Sequence, residues 1–78
     1  MQHTLKHLQV GESGHVTGIC NSNPHYRRQL LAMGITPGTT ITISRVAPLG
    51  DPIEVTLRGY RLSLRRNEAD VVQVEKLS

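Results

Sequence analysis

Histidine and cysteine are the side chains of this sequence that offer the clearest prospect of metal or redox chemistry. There are four histidines and one cysteine, at His3, His7, His15, His25 and Cys20. A divalent metal site needs a clustered set of three or four such ligands at short spacings. His3 and His7 would share a face only on a helix, and Cys20 has no CxxC partner. The sequence therefore predicts neither a metal site nor a cofactor.

Catalytic motifs cannot be recognised either. The sequence contains no evident nucleophile–base pair, no paired carboxylates and no phosphate-binding loop. The segment Gly11-x-x-Gly14 is too short for such a loop and lacks the following Lys-Ser/Thr. We therefore expect a binding module, not an enzyme.

Arginines supply a basic face on the predicted strands, formed by Arg45, Arg58, Arg61 and Arg65. Nine basic and six acidic residues give the chain a net charge of only +3. Such a face is compatible with a solvated outer surface, with nucleic acid, or with an acidic patch on a protein. It could also supply an arginine in trans to GTP hydrolysis, although a strand is a poor position for that role.

The two tyrosines argue against the nucleic-acid alternative. Small barrels bind single strands by combining basic strands with stacking aromatic side chains. Here the only aromatic residues are Tyr26 and Tyr60, and both fall on predicted core faces. The small number of aromatic residues also argues against a polyproline-binding groove, because such grooves are lined by aromatic side chains. We expect no nucleic acid as a partner, and a small nucleic-acid-binding barrel that uses the basic face remains the alternative.

Length and composition indicate one small domain over residues 1–78. A single cysteine cannot form an intramolecular disulfide, and a secreted domain of this size would normally need one. The longest run of large apolar residues, at positions 30–33, is too short for a signal peptide or a membrane span. The expected location is the cytoplasm.

A short amphipathic helix is predicted to begin near Pro24, with Ser22 or Asn23 as its N-cap. Gly34 is suited to the left-handed position that ends a helix, and Ile35 to the apolar contact beside it. The buried face of this helix should consist of Tyr26, Leu30 and Met33.

Alternation of apolar and polar residues predicts five strands, at residues 15–20, 39–46, 53–57, 60–64 and 71–74. A turn at Pro37-Gly38, a tight hairpin at Arg58-Gly59 and a helical turn at 67–70 join them. Short antiparallel strands must curl together to bury a core. The expected fold is mostly β, a small SH3-like barrel of about five antiparallel strands with one short helix inserted after the first strand.

Three segments in register resemble the bacterial ferrous iron transport protein A (FeoA) family. They are residues 30–38, which we call the helix-end segment, residues 47–52, which we call the proline loop, and residues 61–65 with the Ala69-Asp70 turn. The resemblance covers essentially the whole chain. It implies a cytoplasmic SH3-like barrel that regulates a membrane permease, ferrous iron transport protein B, which carries a GTPase domain.

The helix-end segment and the proline loop are also the predicted partner-binding surface. Both are stiff, both present apolar side chains, and a preorganised loop loses less entropy on binding. Asp51 has a competing structural explanation, a hydrogen bond to a backbone amide in the turn. Self-association remains possible, and the sign of the effect on the permease stays open. The predicted partner-binding residues are Leu31, Met33, Ile35, Pro48, Leu49 and Asp51.

Overall fold

The computed structural model describes residues 3–20 and 24–77, with the backbone alone at residue 26. Within these residues the chain forms six strands, two α-helices and one 3₁₀ turn. In chain order they are β1 (His3–Thr4), the 3₁₀ turn (Leu5–His7), β2 (Ser13–Ile19), α1 (Pro24–Ala32), β3 (Thr40–Val46), β4 (Ile53–Leu57), β5 (Tyr60–Leu64), α2 (Arg66–Asp70) and β6 (Val72–Leu77). Among the described residues, no helix has the length and apolar character needed to cross a membrane.

All strand pairs are antiparallel, and the six strands form one sheet in the order β1-β6-β2-β3-β4-β5. The register shifts between Val16 and Gly18 on β2, and between Ile43 and Arg45 on β3. Irregularities of this kind bend a strand and increase its twist. They let the sheet curl into a small barrel that measures 29 × 25 × 25 Å. The prediction of a mostly β fold is confirmed.

The core lies inside the curled sheet and is filled by one face of each long strand. Side chains alternate between the two faces of a strand, and β4 shows this clearly, with Ile53, Val55 and Leu57 buried. The helix α1 adds Leu30, and the short helix α2 adds Ala69. The buried apolar side chains are Leu5, Leu8, Val16, Ile19, Leu30, Ile35, Ile41, Ile43, Ile53, Val55, Leu57, Leu64, Ala69, Val72 and Val74.

The structure corrects the predicted strands at the start of the chain. The strand expected from residue 15 begins at Ser13, because β6 is long enough to pair Ser13 with Leu77. A sixth strand, β1, pairs with β6, and two residues are too few to show a period of two. The helix therefore follows the second strand. Its proposed caps, Ser22 and Asn23, lie outside the described residues.

An ion pair joins the turn before β2 to the last strand. The Glu12 carboxylate lies 2.6 Å from Lys76 Nζ and accepts a hydrogen bond from the Gln9 backbone N–H at 2.7 Å. The hydrogen bond from Lys76, followed by that from Gln9, holds the pKa of Glu12 below its ordinary value. Both bonds favour the charged carboxylate.

Replacing a core leucine should destabilise the fold far more than replacing an exposed one. Leu64→Ala removes a fully buried side chain and should lower the free energy of unfolding by about 2–5 kcal/mol. Leu49→Ala, at a side chain that is 92% exposed, should change it by less than about 0.5 kcal/mol. Urea unfolding of both variants measures the difference, and equal losses would contradict this packing.

The Glu12 contact should also appear in the pH dependence of stability. Because the folded pKa is lowered, the stabilisation is present above the ordinary pKa and is lost as pH falls through the folded value. Glu12→Gln should therefore flatten the acid limb of the stability curve, measured by urea unfolding across that range. Glu75→Gln removes the same charge from an exposed neighbour of Lys76, and an equal effect there would contradict a specific contact.

Candidate functional site

The helix α1 ends in a tight cap built around Gly34. The Gly34 N–H donates to the Leu31 carbonyl at 3.0 Å, and the Ile35 N–H donates to the Leu30 carbonyl at 3.2 Å. Gly34 has φ of +93°, in the left-handed region that this cap requires. Ile35 and Leu30 are both fully buried, as the apolar contact of such a cap demands. The helix therefore ends where the sequence predicts.

A β-turn carries the chain from this cap into β3. The Thr39 N–H donates to the Thr36 carbonyl at 3.1 Å, and Gly38 at the third position has φ of +94°. Pro37 before a glycine with positive φ is typical of a type II turn. The Gly38 N–H also donates to the Val16 carbonyl at 2.8 Å. That bond fixes the turn against β2.

Tyr60 joins the end of the helix to the β4–β5 hairpin. Its hydroxyl donates to the Met33 carbonyl at 2.6 Å, and its side chain is 43% exposed. A Cβ atom on Gly34 would lie well inside contact distance of this hydroxyl. Glycine is thus required at this position by its φ and also by the tyrosine above it. The prediction that Tyr60 belongs to the core face is wrong, because the hydroxyl holds the ring at the barrel rim.

Arg58 makes a second connection at the same end of the hairpin. It lies in the turn between β4 and β5, where the hairpin is predicted, and so it is not on a strand with the other arginines of the basic face; its φ is +49°, beside Gly59 at +83°. Its guanidinium donates to the hydroxyls of Thr36 and Thr39, each at 3.2 Å. Of these two threonines, Thr39 is buried. The Thr39 hydroxyl also lies 3.0 Å from the Thr36 hydroxyl and 3.5 Å from the Gly34 carbonyl, so the arginine joins a small hydrogen-bond network around a buried polar group.

The apolar members of the helix-end segment do not share one environment. Leu31 and Met33 are half-buried and pack against the core from its edge. Ile35 is fully buried. The structure therefore contradicts the expectation that Ile35 faces a partner, because its side chain is taken up by the helix cap. Leu31 and Met33 retain surface that a partner could contact.

The proline loop is closed by its own backbone and exposes its tip. The Gly50 N–H donates to the Ala47 carbonyl at 2.7 Å, and the Ala47 N–H donates to the Pro52 carbonyl at 3.1 Å. Leu49, at the tip, is 92% exposed, and Pro48 is also exposed. A large apolar side chain is thus presented to solvent on a stiff loop.

Asp51 bonds a backbone amide outside its own turn. Its carboxylate accepts a hydrogen bond from the Arg66 N–H at 2.9 Å and lies 3.9 Å from a guanidinium nitrogen of Arg65. A carboxylate at a helix N-terminus satisfies an amide that has no partner within the helix. Asp51 therefore holds the proline loop against the start of α2.

The two predicted docking segments lie at opposite ends of β4. The proline loop leads into Ile53 at the start of the strand, and the helix-end segment contacts the turn that follows Leu57. A strand of five residues separates its ends by roughly 14 Å at about 3.4 Å per residue. The outer side of the β4–β5 hairpin lies between the segments.

Carboxylates interrupt the basic face on that hairpin. Glu54 is the cross-strand neighbour of Arg45, and its carboxylate lies 3.8 Å from a guanidinium nitrogen of Arg61. Asp51 lies beside Arg65 in the same way. Exposed pairs of this kind contribute little to stability, but they lower the positive potential of the surface. The face is mixed in charge and poorly suited to a row of phosphates.

The histidines do not assemble into a ligand set. Across residues 3–20 and 24–77, no three side chains of His, Cys, Asp or Glu are placed to hold a metal ion. The rings of His3 and His7 meet edge to face with centroids 6.2 Å apart, and His7 Nδ1 accepts a hydrogen bond from the Thr4 N–H. His15 lies on β2, within 3.4 Å of the Thr40 hydroxyl.

These features define a small β-barrel with an exposed apolar side chain, Leu49, at one end of a hairpin and half-buried ones, Leu31 and Met33, at the other. A family model, the FeoA domain, matches residues 3–76. The chain is also 42% identical over 74 residues to the Fe(2+) transport protein A/Fe(2+) transporter FeoB fusion protein of Porphyromonas gingivalis. That match covers 95% of this chain and 9% of the length of the fusion protein. The chain belongs to the FeoA family.

Solved structures of relatives agree with this assignment. A FeoA-like protein from Clostridium acetobutylicum superposes with a TM-score of 0.90 at 42% identity, over 99% of this chain and 88% of that one. FeoA of Stenotrophomonas maltophilia, solved with zinc and described as a prokaryotic SH3 domain protein, gives 0.82 at 28% identity over 94% and 89%. The predicted SH3-like fold and family are both confirmed.

The contact between Gly34 and Tyr60 can be tested by a double-mutant cycle. Gly34→Ala should cost more than about 1 kcal/mol, because φ is positive and the new methyl meets the hydroxyl. Tyr60→Phe should cost about 0.5–1.5 kcal/mol for the lost hydrogen bond. In the double variant the methyl group no longer meets a hydroxyl, so the combined loss should fall short of the sum. If the two losses in free energy of unfolding, measured by urea unfolding, simply add in the double variant, the close approach of Gly34 and the Tyr60 hydroxyl is contradicted.

Proposed function

We propose that this chain is a non-enzymatic, cytoplasmic regulator of a ferrous iron permease that carries a GTPase domain, ferrous iron transport protein B. Membership of the FeoA family supports a role in ferrous iron transport. The observation that carries the proposal is the Porphyromonas relative, in which the two parts occur in one chain. Fusion holds two modules at high effective concentration, which is advantageous where the modules act together.

The exposed apolar side chains are the proposed contact points. Leu49 stands 92% exposed on a loop that its own hydrogen bonds close. Leu31 and Met33 offer partly exposed surface at the other end of β4. A partner that covers either segment removes apolar area from water, at about 25 cal/mol per Å². Because both segments are already ordered, little conformational entropy is lost on docking.

Regulation requires that the chain bind one state of the permease more tightly than another. A ligand shifts a conformational equilibrium only by its difference in affinity for the two states. The GTPase domain offers two such states, with GDP and with GTP. A tenfold difference in affinity would shift the balance between them by about 1.4 kcal/mol. The relative from Stenotrophomonas is itself described as a candidate activating factor.

A role in nucleic-acid binding is not favoured. The carboxylates of Glu54 and Asp51 lie among the arginines of the basic face. The hydroxyl of Tyr60 is held by the Met33 carbonyl, and this fixes the ring at the rim instead of leaving it free to stack on a base.

A titration against the purified permease in nanodiscs tests the proposal. We expect the chain to bind, and its affinity to differ by at least about tenfold between GDP and a non-hydrolysable GTP analogue, a difference of about 1.4 kcal/mol. Equal affinity in the two states would contradict regulation by nucleotide state. Absence of binding would contradict the proposal as a whole.

A matched pair of variants then tests the contact points. Leu49→Glu places a charge at the tip of the proline loop and should weaken binding at least about tenfold while leaving the fold intact. Val10→Glu makes the same change at an apolar side chain that is 59% exposed in the turn before β2. This control should bind like the parent chain. Equal losses in the two variants would argue against a specific role for the loop.

A further inference from the structure

The strand β5 forms one edge of the sheet. It is the last strand in the sheet order and pairs with β4 over its whole length of five residues. In the part of the chain that the structure describes, no strand pairs with its other side. The opposite edge strand, β1, is only two residues long. An edge exposes backbone donors and acceptors that can pair with another strand.

The hairpin geometry determines which backbone groups point outward. Leu57 and Tyr60 flank the two-residue turn. In such a hairpin the N–H of each flanking residue donates to the C=O of the other. Pairs then alternate between bonded and non-bonded along the ladder. Leu62 therefore bonds to β4, whereas Arg61 and Ser63 direct their N–H and C=O groups away from the sheet. Within residues 3–20 and 24–77, no backbone hydrogen bond satisfies these outward groups.

The β4–β5 ladder also lacks the irregularity that usually protects an edge. Its register is continuous, without a bulge, and the strand contains no proline. Charged side chains are what protects this edge from pairing with other strands. The side chain of Arg61 is 77% exposed, and that of Arg65, just beyond the strand, is 72% exposed. Positive charge discourages pairing with another basic strand, but it favours an acidic one.

We propose that the β5 edge accepts an extended segment of a partner protein in which acidic and apolar residues alternate. The Arg61 side of β5 would face the acidic residues of the added strand. The other side carries Leu62, which is half-buried, and Tyr60, which is 43% exposed, and it would face the apolar residues. Main-chain bonds supply affinity and the alternate side chains supply specificity in such strand addition.

Charge distinguishes this occupant from a second copy of the chain. Pairing β5 with β5 would bring two sets of Arg61 and Arg65 together, in a chain whose net charge is already +3. An acidic segment has instead to compete with Glu54 beside Arg61 and with Asp51 beside Arg65, at 3.8 and 3.9 Å from guanidinium groups that are largely exposed. Such contacts are readily exchanged.

The position of β5 is consistent with this role. The strand runs between the helix-end segment, joined at Tyr60, and the proline loop, joined through Asp51 to Arg65. A segment laid along its five residues would extend over about 14 Å and approach both. The inference goes beyond the proposed function, because it specifies the chemistry of the segment whichever protein supplies it.

A short peptide of alternating glutamate and valine, added to the isolated chain at low salt, tests the inference by NMR. We expect amide exchange at Arg61 and Ser63 to slow by at least about tenfold, while the Leu62 amide, already bonded to β4, changes little. A lysine–valine peptide of the same length should have no such effect. Equal protection by both peptides, or none at Arg61 and Ser63, would overturn the proposal.

Two controls address the hydrogen bonds themselves. Ser63→Pro removes the outward N–H at a position where edge strands tolerate proline, and it should abolish peptide binding without unfolding the chain. Should this variant fail to fold, a glutamate–valine peptide methylated on the nitrogens that face β5 gives the same test on the unaltered protein. Binding by the methylated peptide would contradict strand addition.

Self-association at the same edge has a different signature. If the Arg61 and Ser63 amides become more protected as the protein concentration rises without peptide, a second copy of the chain occupies this edge, and the proposal is overturned.

Discussion

The close approach of Tyr60 to Gly34 is the contact on which the geometry of the proposed binding surface depends. The left-handed glycine lets the chain turn out of α1, and the tyrosine hydroxyl fixes that turn to the β4–β5 hairpin. Arg58 reinforces the same connection, because it donates to the hydroxyls of Thr36 and Thr39 in the turn that follows the helix. The end of α1 and the turn that follows it are thereby held to a hairpin that is distant in sequence.

The other end of the hairpin is fixed by a different interaction. Asp51 accepts from the first amide of α2 and draws the proline loop against that helix. With both ends anchored, β4 and β5 have little freedom to shift relative to the rest of the barrel. Leu49 and the β5 edge are therefore presented in a fixed relation. This rigidity lowers the entropy lost when a partner docks.

Local sequence signals predict most of the fold. The cap at Gly34, the turn at Pro37-Gly38 and the hairpin at Arg58-Gly59 depend on residues a few positions apart, and all three form where expected. Strands with a clear period of two are likewise found where the pattern places them. The resemblance to the FeoA family rests on three such segments in register.

The site was less accessible to sequence reasoning, because its contacts are not local. Tyr60 follows the apolar period of β5, yet its hydroxyl bonds a carbonyl 27 residues away and keeps the ring at the rim. The sequence assigns Ile35 both to the helix cap and to the partner-binding surface, and only the structure shows that the cap buries it completely. The partner of Asp51 lies on α2, 15 residues along the chain. Only the folded chain shows that the docking segments are separated by a strand whose edge is open.

Hydrogen–deuterium exchange of the chain, with and without the permease, tests most directly whether it docks through the surface described. We expect slowed exchange in the proline loop around Leu49 and along β5, with little change in β2, which is paired on both sides. Slowed exchange confined to the opposite edge, at β1 and the 3₁₀ turn, would contradict docking through this surface.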